Sequence, residues 1–253
     1  MSHIHSEVYG SGRPLVMIHG WAMHAGIWRD FALQLVRHCQ VICIDLPGHG
    51  RSEAIAPYTL DTVAETLLAA IPVERFSLLG WSLGATVAMA MAERFPDSVD
   101  KLLVLAGNPR FVQDGDWPGV GAGVLDDFAT LLKSDVAQTL VRFLALQVNG
   151  LAYGKPLLKR LKQSMSECPP PAAEVLRAGL DILKIGDMRP FMRSSQIPVS
   201  MIMGGKDALV PVACAQRVRQ MNSRVGVHIV DSAGHVPFLS HPEQMIALIA
   251  DSL

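Results

Sequence analysis

Two hydrophobic periods alternate along this chain. Short continuous apolar runs at 15–18, 41–44, 76–79, 102–105, 199–203 and 225–230 show no in-out alternation, and so read as strands buried on both faces. Between them, apolar residues recur at helical spacing over 27–37, 60–70, 83–95, 211–221 and 242–253. This alternation predicts an α/β fold: a mainly parallel, twisted sheet with helices on both faces. It stops between about residues 110 and 193. That stretch carries helical patterns at 124–132, 136–148, 155–165 and 172–185, is broken by Pro169-Pro170-Pro171, and shows no strand pattern. The expected organisation is a core built from residues 1–110 and 194–253, with a helical cap, 111–193, inserted between two core strands. An insertion that enters after a strand end overhangs the carboxyl ends of the strands, where ligands sit in such sheets.

Composition narrows the picture by exclusion. A chain of 253 residues can bury a substantial core, and half of its residues are hydrophobic. No apolar run approaches the ~18–20 residues needed to cross a bilayer, so no membrane association is expected. The first residues lack a basic stretch followed by an apolar one, and no secretory signal is expected. Cys39, Cys43, Cys168 and Cys214 are scattered, which fits reduced, mostly buried thiols in a cytoplasmic protein. No His, Cys, Asp or Glu cluster has ligand spacing, and no G-x-G-x-x-G loop occurs; neither a metal nor a cofactor is expected. A net charge of −1, without aromatic platforms, argues against nucleic acid. The chain is expected to act as a monomer.

The distribution of charge says more than its sum. From Val136 through Ser166 there is no carboxylate, yet Arg142, Lys155, Lys159, Arg160 and Lys162 are present. Lys155, Lys159 and Lys162 share one helical face. Charge of one sign beside a pocket mouth attracts an acidic partner and steers its approach.

The chemistry centres on Gly80-Trp81-Ser82-Leu83-Gly84, which closes an apolar run and opens a helical pattern. A G-x-S-x-G between strand and helix is the nucleophile elbow of a serine hydrolase. Ser82 is the expected nucleophile. A hydroxyl is a feeble nucleophile near neutral pH and needs a base within hydrogen-bond reach. An imidazole, with an ordinary pKa of ~6.5, suits that task. His235 follows the last strand run in Ser232-Ala233-Gly234-His235, and Asp207 follows the preceding one through Gly204-Gly205-Lys206. Nucleophile, acid and histidine thus come in the chain order of the α/β-hydrolases, unlike the chymotrypsin and subtilisin orders. His19-Gly20-Trp21 follows the first strand run, where this architecture supplies an oxyanion donor. The backbone N–H groups of Trp21 and Leu83 are therefore the expected oxyanion hole. Asp231, four residues before His235, is the rival acid, although at a strand end it can also cap backbone. His19 reads as a brace of the oxyanion loop. His49 and Asp45 read as parts of the tight turn Asp45-Leu46-Pro47-Gly48-His49-Gly50-Arg51-Ser52, and His241 as a surface or capping residue.

These segments, together with Trp117-Pro118-Gly119 and Arg142-Phe143-Leu144-Ala145-Leu146-Gln147, resemble the pimeloyl-[acyl-carrier protein] methyl ester esterases of biotin biosynthesis, within the α/β-hydrolase superfamily. The resemblance spans nearly the whole chain. It implies an α/β-hydrolase fold, catalytic Ser82, Asp207 and His235, and substrate contacts from Trp21, Ser82, Leu83, Phe143, Leu144, Ala145, Leu146, Gln147 and His235. It also implies an acidic acyl carrier protein as partner, bound through Arg142, Lys155, Lys159 and Arg160. Two departures from the family's pattern stand out: Ala85 stands where a second glycine is common, and Gln138 and several lysines stand where relatives carry arginine. The alternatives are a general short-chain carboxylesterase or C–C hydrolase on the same scaffold, and a non-enzymatic ligand receptor that keeps the fold.

Overall fold

The computed structural model describes residues 2–253. Its centre is a seven-stranded sheet formed by β1 (Ser6–Tyr9), β2 (Pro14–Ile18), β3 (Gln40–Ile44), β4 (Phe76–Trp81), β5 (Val99–Leu105), β6 (Val199–Gly204) and β7 (Gly226–Val230). The spatial order is β1-β3-β2-β4-β5-β6-β7, with every neighbouring pair parallel except β1 and β3. The chain runs from β2 outward to β3 and then returns to the other side of β2 for β4. That reversal opens a crevice at the carboxyl ends of β2 and β4, where Ile18 pairs with Gly80.

The central strands are apolar throughout because both faces are covered. Val16, Ile18, Ile42, Leu78, Leu102, Val104 and Met201 join one core cluster, whereas their neighbours Leu15, Met17, Val41, Leu79, Leu103 and Ile202 join the other. Helices α2 (Leu60–Ala70), α3 (Leu83–Arg94) and α9 (Cys214–Met221) cover the first face; α1 (Arg29–Leu35) and α11 (Pro242–Ser252) cover the second. Local chemistry sets the ends. Thr59 starts α2 through a capping box, its hydroxyl accepting the Thr62 N–H at 3.2 Å while the Thr62 hydroxyl accepts the Thr59 N–H at 3.0 Å.

Between β5 and β6 come α4 (Ala122–Ser134), α5 (Val136–Gln147), α6 (Gly154–Met165), α7 (Ala173–Ile185) and α8 (Arg189–Ser194). Two isolated bridges, Val112 to Val120 and Asp114 to Trp117, are the extended pairings recorded there. Four elements differ from the sequence reading. Strand β1 was not expected, because its four residues pair only with β3 at the sheet edge and stay half exposed, so they show no apolar run. The expected helix at 27–37 is a 3-10 turn (Ala25–Trp28) leading into the shorter α1. The short helices α8 and α10 (Pro237–Ser240), each with a proline in its first turn, are too brief to show a period.

Candidate active site

Ser82 sits at the junction of β4 and α3 with φ 57° and ψ −117°, a left-handed conformation rarely adopted by a residue with a side chain. Gly80 and Gly84 make it possible. A Cβ on Gly80 would lie 2.1 Å from the Gly84 carbonyl oxygen, and one on Gly84 would lie 2.5 Å from the carbonyl oxygens of Ile18 and His19. The elbow is thus wedged between its own helix and the end of β2.

The structure brings three distant side chains together on this elbow. The Ser82 hydroxyl donates to His235 Nε2 at 2.9 Å, and His235 Nδ1–H donates to Asp207 Oδ2 at 2.8 Å. A carboxylate only accepts, so this bond sets the ring's tautomer and leaves Nε2 free to receive a proton. Asp207 is held in turn: its Oδ1 accepts the backbone N–H groups of Leu209 (2.8 Å) and Val210 (3.0 Å). The three side chains are almost wholly buried: Ser82 is 2% and His235 0% exposed. Asp231, the rival acid, is exposed and is not joined to His235 by a recorded bond.

Two backbone donors beside the elbow lack a backbone acceptor among the described residues. Leu83 is the first residue of α3, so its amide has no intrahelical acceptor. The Trp21 amide, in the loop after β2, pairs with no backbone acceptor among the described residues. The Trp21 indole is fully buried, donates to the Leu176 carbonyl of α7 at 2.8 Å, and meets Phe143 edge-on with centroids 4.7 Å apart. Helix α7 passes directly above. A Cβ on Gly179 would lie 2.9 Å from Trp21 Cδ1 and 3.2 Å from Leu83 Cδ2.

The loop bearing Trp21 rests on a buried imidazole pair. His19 Nε2 accepts the Leu46 N–H at 2.9 Å, so Nδ1 carries the proton and donates to the Gly20 carbonyl at 2.8 Å. Asp45, 4.0 Å from that ring, is no ion-pair partner; it accepts the amides of Ala25 (2.5 Å) and Arg51 (2.8 Å) and so stabilises the turn. His49 lies 5.4 Å from His19 between ring centroids and donates from Nδ1 to the Pro47 carbonyl at 3.0 Å. Burial pushes both imidazoles down to a pKa of about 3, and for His49 the neighbouring His19 adds to the effect.

These depressed values carry a pH prediction. A histidine kept neutral by folding contributes stability that is complete above its unfolded pKa of ~6.5 and is lost as pH falls toward the folded value. At pH 5 the loss is about 2 kcal/mol for each of the two. The urea midpoint is therefore expected to drop between pH 7 and pH 5, and His49→Gln should flatten that slope. An equally steep decline in the variant would refute the assignment.

The other expected site residues divide by helix face. On α5, Phe143, Leu144 and Gln147 turn inward, Leu146 is half-buried, and Ala145 is exposed. The structure does not bring Ala145 to the site, because five consecutive helical residues sweep more than a full turn. Both amide atoms of the buried Gln147 lack a protein partner. Arg142, Lys155 and Lys159 are exposed on α5 and α6. Arg160 differs: its guanidinium donates to the Leu239 carbonyl at 3.1 Å and lies 3.6 Å from Asp30, tying α6 to the core. Sequence reasoning did not single out Phe128, whose ring lies 5.7 Å from Phe143 and 6.4 Å from Trp21, or the Trp81 indole, which donates to the His235 carbonyl at 2.8 Å. Trp81 stands inside the G-x-S-x-G, where its position next to the nucleophile was a usable signal.

The reversed sheet and the hydroxyl–imidazole–carboxylate chain at its crevice define an α/β hydrolase. The family model described as alpha/beta hydrolase fold matches residues 13–242. A pimeloyl-[acyl-carrier protein] methyl ester esterase from Methylococcus capsulatus is 41% identical over 243 residues, covering 96% of this chain and 95% of its own. Another, from Nitrosomonas europaea, is 39% identical over 248 residues and covers 98% of both. The chain belongs to this esterase family. Among solved structures, an esterase from Exiguobacterium antarcticum superposes with a TM-score of 0.88 over 99% of this chain and 95% of its own, at 22% identity, a likeness of fold.

Proposed function

We propose that this protein is a serine carboxylesterase that hydrolyses the methyl ester of a carrier-bound pimeloyl chain, releasing methanol. The observation that carries the reading is the continuous bond path Ser82–His235–Asp207, with lengths of 2.9 and 2.8 Å, in a chain 41% identical to a relative named for that reaction. The Ser82 hydroxyl attacks the ester carbonyl as His235 Nε2 takes its proton. Asp207 holds the imidazole and stabilises the charge it gains. The carbonyl oxygen, now negative, is received by the amides of Trp21 and Leu83 at the start of α3, where the helix dipole adds to the attraction. The tetrahedral intermediate collapses, His235 protonates the departing methoxide, and methanol leaves. Water, deprotonated by the same imidazole, then cleaves the acyl-enzyme and restores Ser82.

The aromatic cluster of Trp21, Phe128 and Phe143 suits an aliphatic chain beside the elbow. The exposed Arg142, Lys155 and Lys159, on a stretch without carboxylates, suit an acidic carrier at the outer face of the cap. Docked there, the carrier keeps its own thioester at the mouth while the distal ester reaches Ser82.

The test compares methanol with free carrier released from the carrier-linked methyl ester. Methanol is expected to dominate, and dominant thioester cleavage would contradict the reading. Reversing charge at Lys155 and Lys159 together should lower carrier-linked kcat/KM about 10-fold and leave a small ester unaffected. Equal losses on both substrates would remove the carrier surface from the account.

A further inference from the structure

The loop that carries His235 is gripped on three sides. From the sheet, the Lys206 N–H donates to the Ala233 carbonyl at 2.9 Å. From the elbow, the Trp81 indole donates to the His235 carbonyl at 2.8 Å. The third grip comes from the turn between α5 and α6. Tyr153 donates its hydroxyl to the Ser232 carbonyl, and its ring meets His241 edge-on with centroids 5.9 Å apart. His241 Nε2 and Ser232 Oγ lie 2.8 Å apart and close the cluster. Behind it, the turn packs onto Gly234: a Cβ there would lie 2.8 Å from Leu151 Cδ1 and 3.3 Å from the Gln147 carbonyl oxygen.

The first two grips belong to the sheet and the elbow; the third belongs to the inserted helices. Asp207 fixes His235 at Nδ1 only, which leaves the ring able to swing about that bond. Keeping Nε2 at 2.9 Å from Ser82 therefore requires a fixed backbone on both sides of the ring. The His235 carbonyl is held by Trp81, and the upstream side is held at Ser232 and Gly234 by residues 151 and 153.

We propose that Tyr153 is a positioning residue for ester hydrolysis, acting through the Ser232 carbonyl to keep the His235 imidazole in register with Ser82. The proposal rests on the reading of His235 as the base. It makes the cap a structural partner of the catalytic loop as well as a cover over the acyl site.

Steady-state hydrolysis of p-nitrophenyl acetate by the full chain provides the test. A misplacement of about 1 Å at reacting atoms can cost about 100-fold, and Tyr153→Phe, which keeps the ring, is expected to lower kcat about 10-fold with KM within about 2-fold. The thermal midpoint should fall by no more than about 3 °C, since one partly exposed hydrogen bond is lost. The downfield proton resonance of His235 Nδ1–H should broaden as the ring gains freedom. Leu151→Ala loosens the same turn by a second route and should act in the same direction, so a failure of either variant to fold leaves the other to decide. If the folded variants, counted by active-site titration, keep wild-type kcat and the wild-type resonance, the role is overturned. Failure of the underlying reading shows separately, as a wild-type enzyme without turnover or a Ser82→Ala variant that retains it.

Discussion

Ser82→Ala is expected to lower ester turnover about a million-fold while the protein stays folded. The hydroxyl is the atom that becomes bonded to the acyl group, and its removal takes away the covalent path together with the proton that His235 would accept. The Trp21 and Leu83 amides remain, so a rate about a thousand-fold above uncatalysed hydrolysis should persist through oxyanion binding alone. Backbone strain does not confound the result. The position demands φ near 57°, and alanine already adopts φ 62° at Ala22 and 43° at Ala106 in this chain. The pre-steady-state acyl burst should vanish and methanol release should fall to that residual rate, with an unchanged thermal midpoint. A variant retaining as much as about 1% of wild-type turnover would mean that another group makes the bond.

Asp207→Asn should lower kcat about 10⁴-fold with little change in KM. The carboxylate accepts three bonds: from His235 Nδ1–H and from the amides of Leu209 and Val210. In asparagine, the single oxygen turns to the two backbone amides, because rotating it away would leave both donors unpaired in a buried site. The NH₂ group then faces Nδ1 and forces it to accept, so Nε2 carries the proton and presents it to Ser82. The base becomes a donor at the one atom from which it must take a proton. Because the geometry is preserved, substrate binding and folding should be nearly untouched. A variant with a sharply raised KM and near-normal kcat would instead place Asp207 in substrate recognition.

The parts of this molecule that the sequence made legible are those with a local signature. Buried parallel strands are continuous apolar runs, and the elbow needs glycine at both 80 and 84 because the backbone of β2 and of its own helix leaves no room for a Cβ. Chain order singled out Asp207 and His235 although neither has a distinctive neighbourhood. What stayed hidden depends on tertiary contact. Strand β1 pairs at an edge and needs no apolar run. Arg160 follows Lys159 in a basic stretch, but it sits about 100° further round the helix and turns to Asp30 and the Leu239 carbonyl of the core. The link from Tyr153 to Ser232 joins residues 79 apart, and no pattern within either segment announces it.

The roof that α7 forms over Trp21 and Leu83 has a consequence for labelling chemistry. With Ser82 only 2% exposed, a phosphonylating reagent reaches its hydroxyl as the cover over the elbow opens. The speed at which such a reagent captures the enzyme thus becomes a clock for the breathing of the roof, read without any substrate being turned over.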